Sequence, residues 1–103
     1  MHVLLSYELA PDYLARRGGF RDSHLALAWA AAERGDLLLG GAVGDPVESA
    51  LLLFTSHEAA TAFAEADPYV TQGLVRGWRV QPWITVVGRD AATPVHPRPE
   101  STH

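Results

Sequence analysis

Glu65-Ala66-Asp67-Pro68-Tyr69 is the stretch from which the fold can be worked out, because it marks where a helix must end. Proline cannot continue the helix that precedes it, so the chain turns at Pro68. Asp followed by Pro is also a favoured pair for starting a new helical turn, which the aspartate side chain caps. Asp67 is therefore predicted to cap a short turn that runs to Gln72. A carboxylate fixed in this way is also well placed to orient an imidazole ring.

The helix that ends at this stretch has its own start signal. Thr55 and Glu58 stand three residues apart, which is the spacing of a capping box, so the helix is predicted to begin here. Its apolar residues recur every three or four positions, which predicts one buried face. The residues on that face are Ala59, Ala62, Phe63 and Ala66.

An earlier helix is predicted by signals of the same kind. Asp22 and Ser23 are both good N-cap residues, and Gly35 suits the left-handed residue that follows a helix ending near Arg34. His24 lies in the first turn, beside the apolar stripe, where a side chain can be both held and reached. The stripe predicted to face the core consists of Leu25, Ala28, Trp29 and Ala32.

The remaining apolar segments predict strands, which span residues 2–9, 37–43, 49–54 and 74–87. Pro82 cannot donate to a sheet, so the last strand should bend there or lie at an edge. Gly40 and Gly41 leave two readings open, a bulge with close backbone approach or room for a ligand against the sheet. Tyr13 to Gly19 is predicted to be a mobile, polar connection with one helical turn.

The element order is strand, helix, strand, strand, helix, strand, which is the α+β, ferredoxin-like βαββαβ arrangement. Its antiparallel sheet has both helices on one face, so the bare face predicts a second copy and a homodimer. The 103 residues fit a single domain, placed at residues 1–88. Residues 89–103 carry three prolines and no apolar periodicity, and they are predicted to form a disordered tail.

Composition argues against several functions. A net charge of -4 with no basic stripe argues against nucleic-acid binding. There are no cysteines, the five histidines lack metal-ligand spacing, and no glycine-rich loop could hold a phosphate, so neither a metal nor a cofactor is predicted. The N-terminus lacks the features of a signal peptide, and no apolar run reaches the ~20 residues of a membrane span. A cytoplasmic protein with no membrane partner is therefore predicted.

Arginines near His24 are candidates for substrate binding. Arg16 and Arg21 precede it, and either could hold an anionic small molecule through bidentate contacts. Arg17 is interpreted as a solvated side chain.

Aromatic residues could supply the wall of an apolar pocket. Tyr7 on the first strand, Tyr69 after Pro68, and Trp83 are the candidates, and Gly41 could leave space for the ligand. Trp83 suits a dimer interface equally well.

Three motifs together resemble the YCII-related (YciI-like) family of small dimeric α+β proteins. They are R-x-x-H-L at residues 21–25, Gly40-Gly41, and A-D-P-Y at residues 66–69, and the resemblance spans roughly residues 1–87. It implies a dimeric α+β barrel in which His24 and Asp67 form the active-site pair. It also implies acid–base chemistry, since a dehydrochlorinase of a chlorinated hydroxyquinol resembles these proteins. The loop between Gly41 and Ser49 is short here, which could alter the substrate class.

Three functions follow as hypotheses. The first is a dimeric enzyme in which Asp67 orients His24 for lyase or isomerase-type chemistry on a small cyclic or aromatic molecule. The second is a module that binds a small ligand or a partner without turnover. The third is a cofactor-free oxygenase of the kind found among dimeric α+β barrels. No serine stands in a G-x-S-x-G setting, so acyl transfer is not predicted.

Overall fold

Four strands and four helices make up the computed structural model, which describes residues 1–98. A 3-10 turn at Arg17–Gly19 joins the first two helices. In chain order the elements are β1 (His2–Leu9), α1 (Tyr13–Arg16), α2 (Arg21–Glu33), β2 (Leu37–Val43), β3 (Ser49–Phe54), α3 (His57–Ala66), α4 (Pro68–Thr71) and β4 (Val75–Trp83).

The strands form one antiparallel sheet in the order β2-β3-β1-β4. This order confirms the predicted ferredoxin-like arrangement. Side chains alternate along β1, so that Val3, Leu5 and Tyr7 are buried while the residues between them point to the other face. β4 lies at an edge of the sheet and has a neighbouring strand on one side. Pro82, which has no backbone N–H to donate, can be accommodated in such a strand.

The core lies between the sheet and the helices, with α2 packed on β2 and α3 packed on β1 and β4. α3 buries Ala60, Phe63 and Ala64, so the prediction that Ala62 and Ala66 face the core is wrong. The helix begins one residue later than the capping box implied. Its N-cap is Ser56, whose hydroxyl accepts a hydrogen bond from the Ala59 backbone. The Thr55 hydroxyl instead donates to the Asp36 carbonyl.

α2 departs from its prediction at its start and along its stripe. It begins at Arg21 with no side-chain cap, because the 3-10 turn leads directly into it through Phe20. Ala31 is its buried residue, whereas 67% of Trp29 is exposed, so the prediction that Trp29 packs in the core is wrong. The helix ends as predicted, with Gly35 at a φ of 85°.

The last strand is shorter than the predicted residues 74–87, because β1 offers no partner beyond the pairing of His2 with Trp83. The chain then folds back, with the Thr93 and Val95 backbone amides donating to the Thr85 and Val86 carbonyls. The disordered tail stays a prediction, and its last residues, 99–103, lie outside the described residues. Within residues 1–98, no helix combines the length and apolar character that crossing a membrane requires.

Candidate active site

The structure brings His24 and Asp67 into contact across 43 residues of sequence. His24 comes from the first turn of α2, and Asp67 lies between α3 and α4. The Nδ1 atom of His24 is 2.9 Å from Oδ1 and 3.0 Å from Oδ2 of Asp67. The carboxylate is fully buried, whereas 16% of the His24 side chain remains exposed. One member of the pair is therefore shielded from water and the other is reachable.

The Asp67 carboxylate accepts hydrogen bonds from two further donors. The Tyr69 backbone N–H donates to Oδ1 at 3.0 Å, which confirms that Asp67 caps the turn after α3. The Tyr7 hydroxyl donates to Oδ2 at 2.7 Å. A fully buried carboxylate would be costly without such partners, so these bonds hold it in place as an acceptor.

The His24 ring is held between two aromatic side chains. The Tyr69 ring stacks on it, with centroids 4.0 Å apart and planes 11° from parallel, and Phe63 meets it edge-on at 6.2 Å. Because a carboxylate can only accept, the proton in the bond to Asp67 belongs to Nδ1 of His24. The other ring nitrogen, Nε2, is then the atom free for proton transfer.

Two tyrosines beside the pair are held in the protonated form. Burial, the charge of Asp67 and the hydrogen bond to it raise the pKa of Tyr7 far above its ordinary value. Burial and the neighbouring Tyr13 raise the pKa of Tyr69, while the positive charges of Arg21 and Arg17 act in the opposite direction. Both phenols are therefore hydrogen-bond donors at neutral pH.

A cavity of about 380 Å³ opens beside His24, between α2 and β2. Small side chains line both of its walls. Ala28 and Ala32 stand on the helix, and Gly40, Ala42 and Ala50 stand on the sheet. The result is a space between helix and sheet whose lining is largely apolar.

Four of the residues predicted to bind substrate line this cavity together with His24, namely Tyr7, Arg21, Gly41 and Tyr69. Gly41 pairs with Leu51, so the position of its missing side chain lies on the open face of the sheet, where an added Cβ would meet no atom within 4 Å. Gly40 pairs with the buried Leu52 and is the glycine whose missing side chain faces the cavity, where an added Cβ would lie 3.3 Å from the Leu52 side chain. The register shift that marks a bulge lies between Leu37 and Leu39, just before the glycines.

Two other predicted residues lie elsewhere. The Arg16 side chain points away from the cavity, donates to the Gln72 carbonyl at 2.9 Å and lies 3.8 Å from the Asp12 carboxylate. Trp83 lies at the far end of β4, in a separate hollow of about 200 Å³ with Met1. Neither residue lines the cavity beside His24.

Arg17, interpreted from the sequence as a solvated side chain, is partly buried and lines the cavity. The 3-10 turn at Arg17–Gly19 changes the direction of the chain between the two neighbouring arginines and sends them to different places. Its guanidinium carbon lies 5.8 Å from the centre of the Tyr13 ring. The pair of glycines after Arg17 was the only local signal of such a turn.

Comparisons with known proteins agree with this arrangement of elements. No protein-family model matches the chain. A structure of 5-chloro-2-hydroxyhydroquinone dehydrochlorinase (TftG) from Burkholderia phenoliruptrix AC1100, in complex with 2,5-dihydroxybenzoquinone, has the same fold with a TM-score of 0.67. It is 22% identical, and the match covers 82% of this chain and 95% of that one.

Two curated proteins are similar along nearly their whole length. They are Protein YciI of Escherichia coli O6:H1 (strain CFT073) and Protein YciI of Shigella flexneri. Each is 32% identical over 97 residues, and the match covers 84% of this chain and 98% of the relative. Identity at this level over so much of both proteins establishes the relationship, and the chain belongs to the YciI-like (YCII-related) family.

Proposed function

We propose that this protein is an acid–base enzyme of the lyase type, in which His24 transfers protons and Asp67 orients it. The observation that carries the proposal is the contact between a fully buried carboxylate and an imidazole at the wall of a cavity. An aspartate on one ring nitrogen fixes the tautomer and leaves the other nitrogen as the base. The match to a dehydrochlorinase supports the same reaction class.

The chemical step would use Nε2 of His24 alone. Nε2 takes a proton from a carbon or hydroxyl of the bound molecule, and the electron pair of the broken bond forms a new double bond. A leaving group such as chloride departs with its own bonding pair, so charge and atoms balance. The imidazolium that forms is stabilised by Asp67 until Nε2 returns the proton to solvent.

The cavity fits a small, flat molecule with an acidic oxygen. Its volume of about 380 Å³ lies toward the lower end of the usual range for ligand pockets, roughly 300–1,000 Å³. Its small side chains suit the faces of a ring. Arg17 and Arg21 line it without forming an ion pair to any carboxylate in residues 1–98, so both guanidinium groups can receive an anion. Phenols and enols that ionise near neutral pH have this chemistry.

The proposal includes a homodimer formed through the open face of the sheet. Along each strand, residues that face the core alternate with residues that face the other side of the sheet. Leu39 and Leu51 pair with residues of the second kind, so both leucines lie on the open face. Leu39 is 73% exposed. A sheet face carrying such residues is a candidate for covering by a second copy.

The test is a panel of hydroxylated aromatics, quinones and cyclic hydroxy acids, assayed for turnover and for binding. We expect turnover of at least one compound, lost by about 10²-fold or more in His24→Ala with the fold retained. His57→Ala is the matched control, because that histidine is exposed on α3 and its ring hydrogen-bonds, among residues 1–98, to Thr61 alone. A compound that binds and stays unchanged would favour a binding module, and consumption of oxygen would favour an oxygenase.

A further inference from the structure

We infer that Tyr7 is a positioning residue that sets, through Asp67, how firmly His24 holds its proton. The inference rests on the proposed function only for its consequence in catalysis. It assigns no contact between the Tyr7 hydroxyl and the bound molecule, because that hydroxyl already donates to Asp67.

The geometry that carries the inference is a row of three groups. Tyr7 reaches Asp67 from β1, 60 residues away in sequence, at 2.7 Å, and Asp67 reaches His24 at 2.9 Å. Tyr7 is 3% exposed and the carboxylate is fully buried. Water therefore cannot replace the phenol as a donor without a change in packing.

Tyr7 and His24 compete for the same negative charge. Both donate to the Asp67 carboxylate, and His24 contacts the same oxygen, Oδ2, that accepts from Tyr7. A hydrogen bond to an ionised group partly offsets the charge of that group, and neighbouring hydrogen bonds polarise one another in a poorly solvated site. Removal of the phenol should leave more charge facing His24, so the imidazole should stay protonated to a higher pH.

The other charged or titratable groups around His24 do not change over the relevant pH range. Two are arginines, which stay charged, and the others are phenols, which stay neutral near pH 7. They are Arg21 on its own helix, Arg17 from the 3-10 turn, Tyr13 from α1 and Tyr69 from α4. A change in the behaviour of His24 in a Tyr7 variant can therefore be assigned to the row of three.

The direct test is Tyr7→Phe, which keeps the buried ring and removes the hydroxyl. The titration midpoint of the His24 ring, followed by nitrogen-15 NMR without substrate, should move up by roughly half a pH unit. Tyr13→Phe is the matched control, because no hydrogen bond joins Tyr13 to Asp67 in the described residues. The His24 midpoint measured in this variant should stay at the wild-type value. An unchanged midpoint in folded Tyr7→Phe would overturn the inference.

A second variant keeps the test decisive if Tyr7→Phe does not fold. Incorporation of 3-fluorotyrosine at position 7 makes the phenol a stronger donor, so the His24 midpoint should move down instead of up. Movement in the same direction as Tyr7→Phe, or none, would contradict the inference.

Kinetics then separate this inference from the proposed function. With a turned-over substrate, Tyr7→Phe should lower kcat several-fold, leave KM near the wild-type value and shift the acidic limb of the pH–rate profile upward. A several-fold rise in KM with unchanged kcat would mean that Tyr7 binds substrate, and would overturn the positioning role. If no compound is turned over, the proposed function fails while the NMR result still decides the role of Tyr7.

Discussion

Asp67→Asn is the substitution for which the structure gives the sharpest expectation. Asparagine has nearly the same shape, and it caps helices about as well as aspartate, so the bond from the Tyr69 backbone should survive at Oδ1. The amide group must then occupy the place of Oδ2, where the Tyr7 hydroxyl donates at 2.7 Å. The amide donates at that place, so the Tyr7 hydroxyl can no longer donate there and must turn to accept instead.

The size of the effect follows from the bonds that are lost. Hydrogen bonds to a charged group contribute about 1.5–3 kcal/mol each, and a buried donor without a partner costs about 1–3 kcal/mol. The Tyr7 hydroxyl can rotate to accept from the amide, and the bond from Nδ1 of His24 to Oδ1 can remain, so only part of this sum is lost. We expect Asp67→Asn to lower the free energy of unfolding by about 2–3 kcal/mol, and Tm by about 10–20 °C.

Urea unfolding followed by circular dichroism measures this loss, with the m-value showing whether the native state stays compact. Glu8→Gln is the control, since Glu8 is also a carboxylate with a close nitrogen donor, Arg76 at 2.7 Å, but both of these side chains are more than half exposed. Exposed pairs contribute little, so the control should lose at most about 0.5 kcal/mol. Equal losses in the two variants would refute the reasoning that burial of the Asp67 network decides its contribution.

Three further predictions concern pH, the cavity and assembly. The pKa of Tyr7 is raised in the folded protein, so the contribution of Tyr7 to stability is complete below pH 10 and is lost as the pH rises above that value. Alkaline unfolding should show the difference between the wild type and Tyr7→Phe. Above pH 10 the free energy of unfolding of the wild type should fall more steeply, by up to about 1.4 kcal/mol per pH unit. Ala28→Leu should fill the space between α2 and the sheet and weaken binding of a ring compound by about 10-fold or more, as measured by calorimetry. The free energy of unfolding should change by less than about 1 kcal/mol. Unchanged affinity would mean that the ring binds elsewhere. Leu51→Arg should convert the proposed dimer to monomers in light scattering, while Trp78→Arg, on the face that carries the helices, should leave its mass unchanged.

Strand positions were the most predictable part of the fold. β2 and β3 lie at residues 37–43 and 49–54, as predicted, because turn residues bound their apolar runs on both sides. α2 shows where periodicity stops being informative. The apolar spacing of Leu25 and Trp29 defines a stripe, but it does not say whether protein, a cavity or another molecule lies opposite. Here the stripe faces the cavity and its rim, so both residues are exposed.

The candidate site divides in the same way. Local signals sufficed for the cap at Asp67, because Asp-Pro is a property of neighbouring residues. The contact between Asp67 and His24 depends on how α2 packs against α4, and only the family resemblance pointed to it. Tyr7 was expected in a pocket, but its bond to Asp67 depends on the register of β1, which no short motif encodes. The different directions of Arg16 and Arg17 likewise depend on one 3-10 turn.

The three members of the hydrogen-bonded row come from the first strand, the first long helix and the junction after the second one. The row spans 60 residues of sequence, from Tyr7 to Asp67, so its members meet only after distant segments have docked. The NMR signal of the His24 ring should therefore report on assembly of the whole domain, disappearing from its native position in one step with global unfolding. It would give a sensitive internal probe for variants anywhere in the chain, including those far from the cavity.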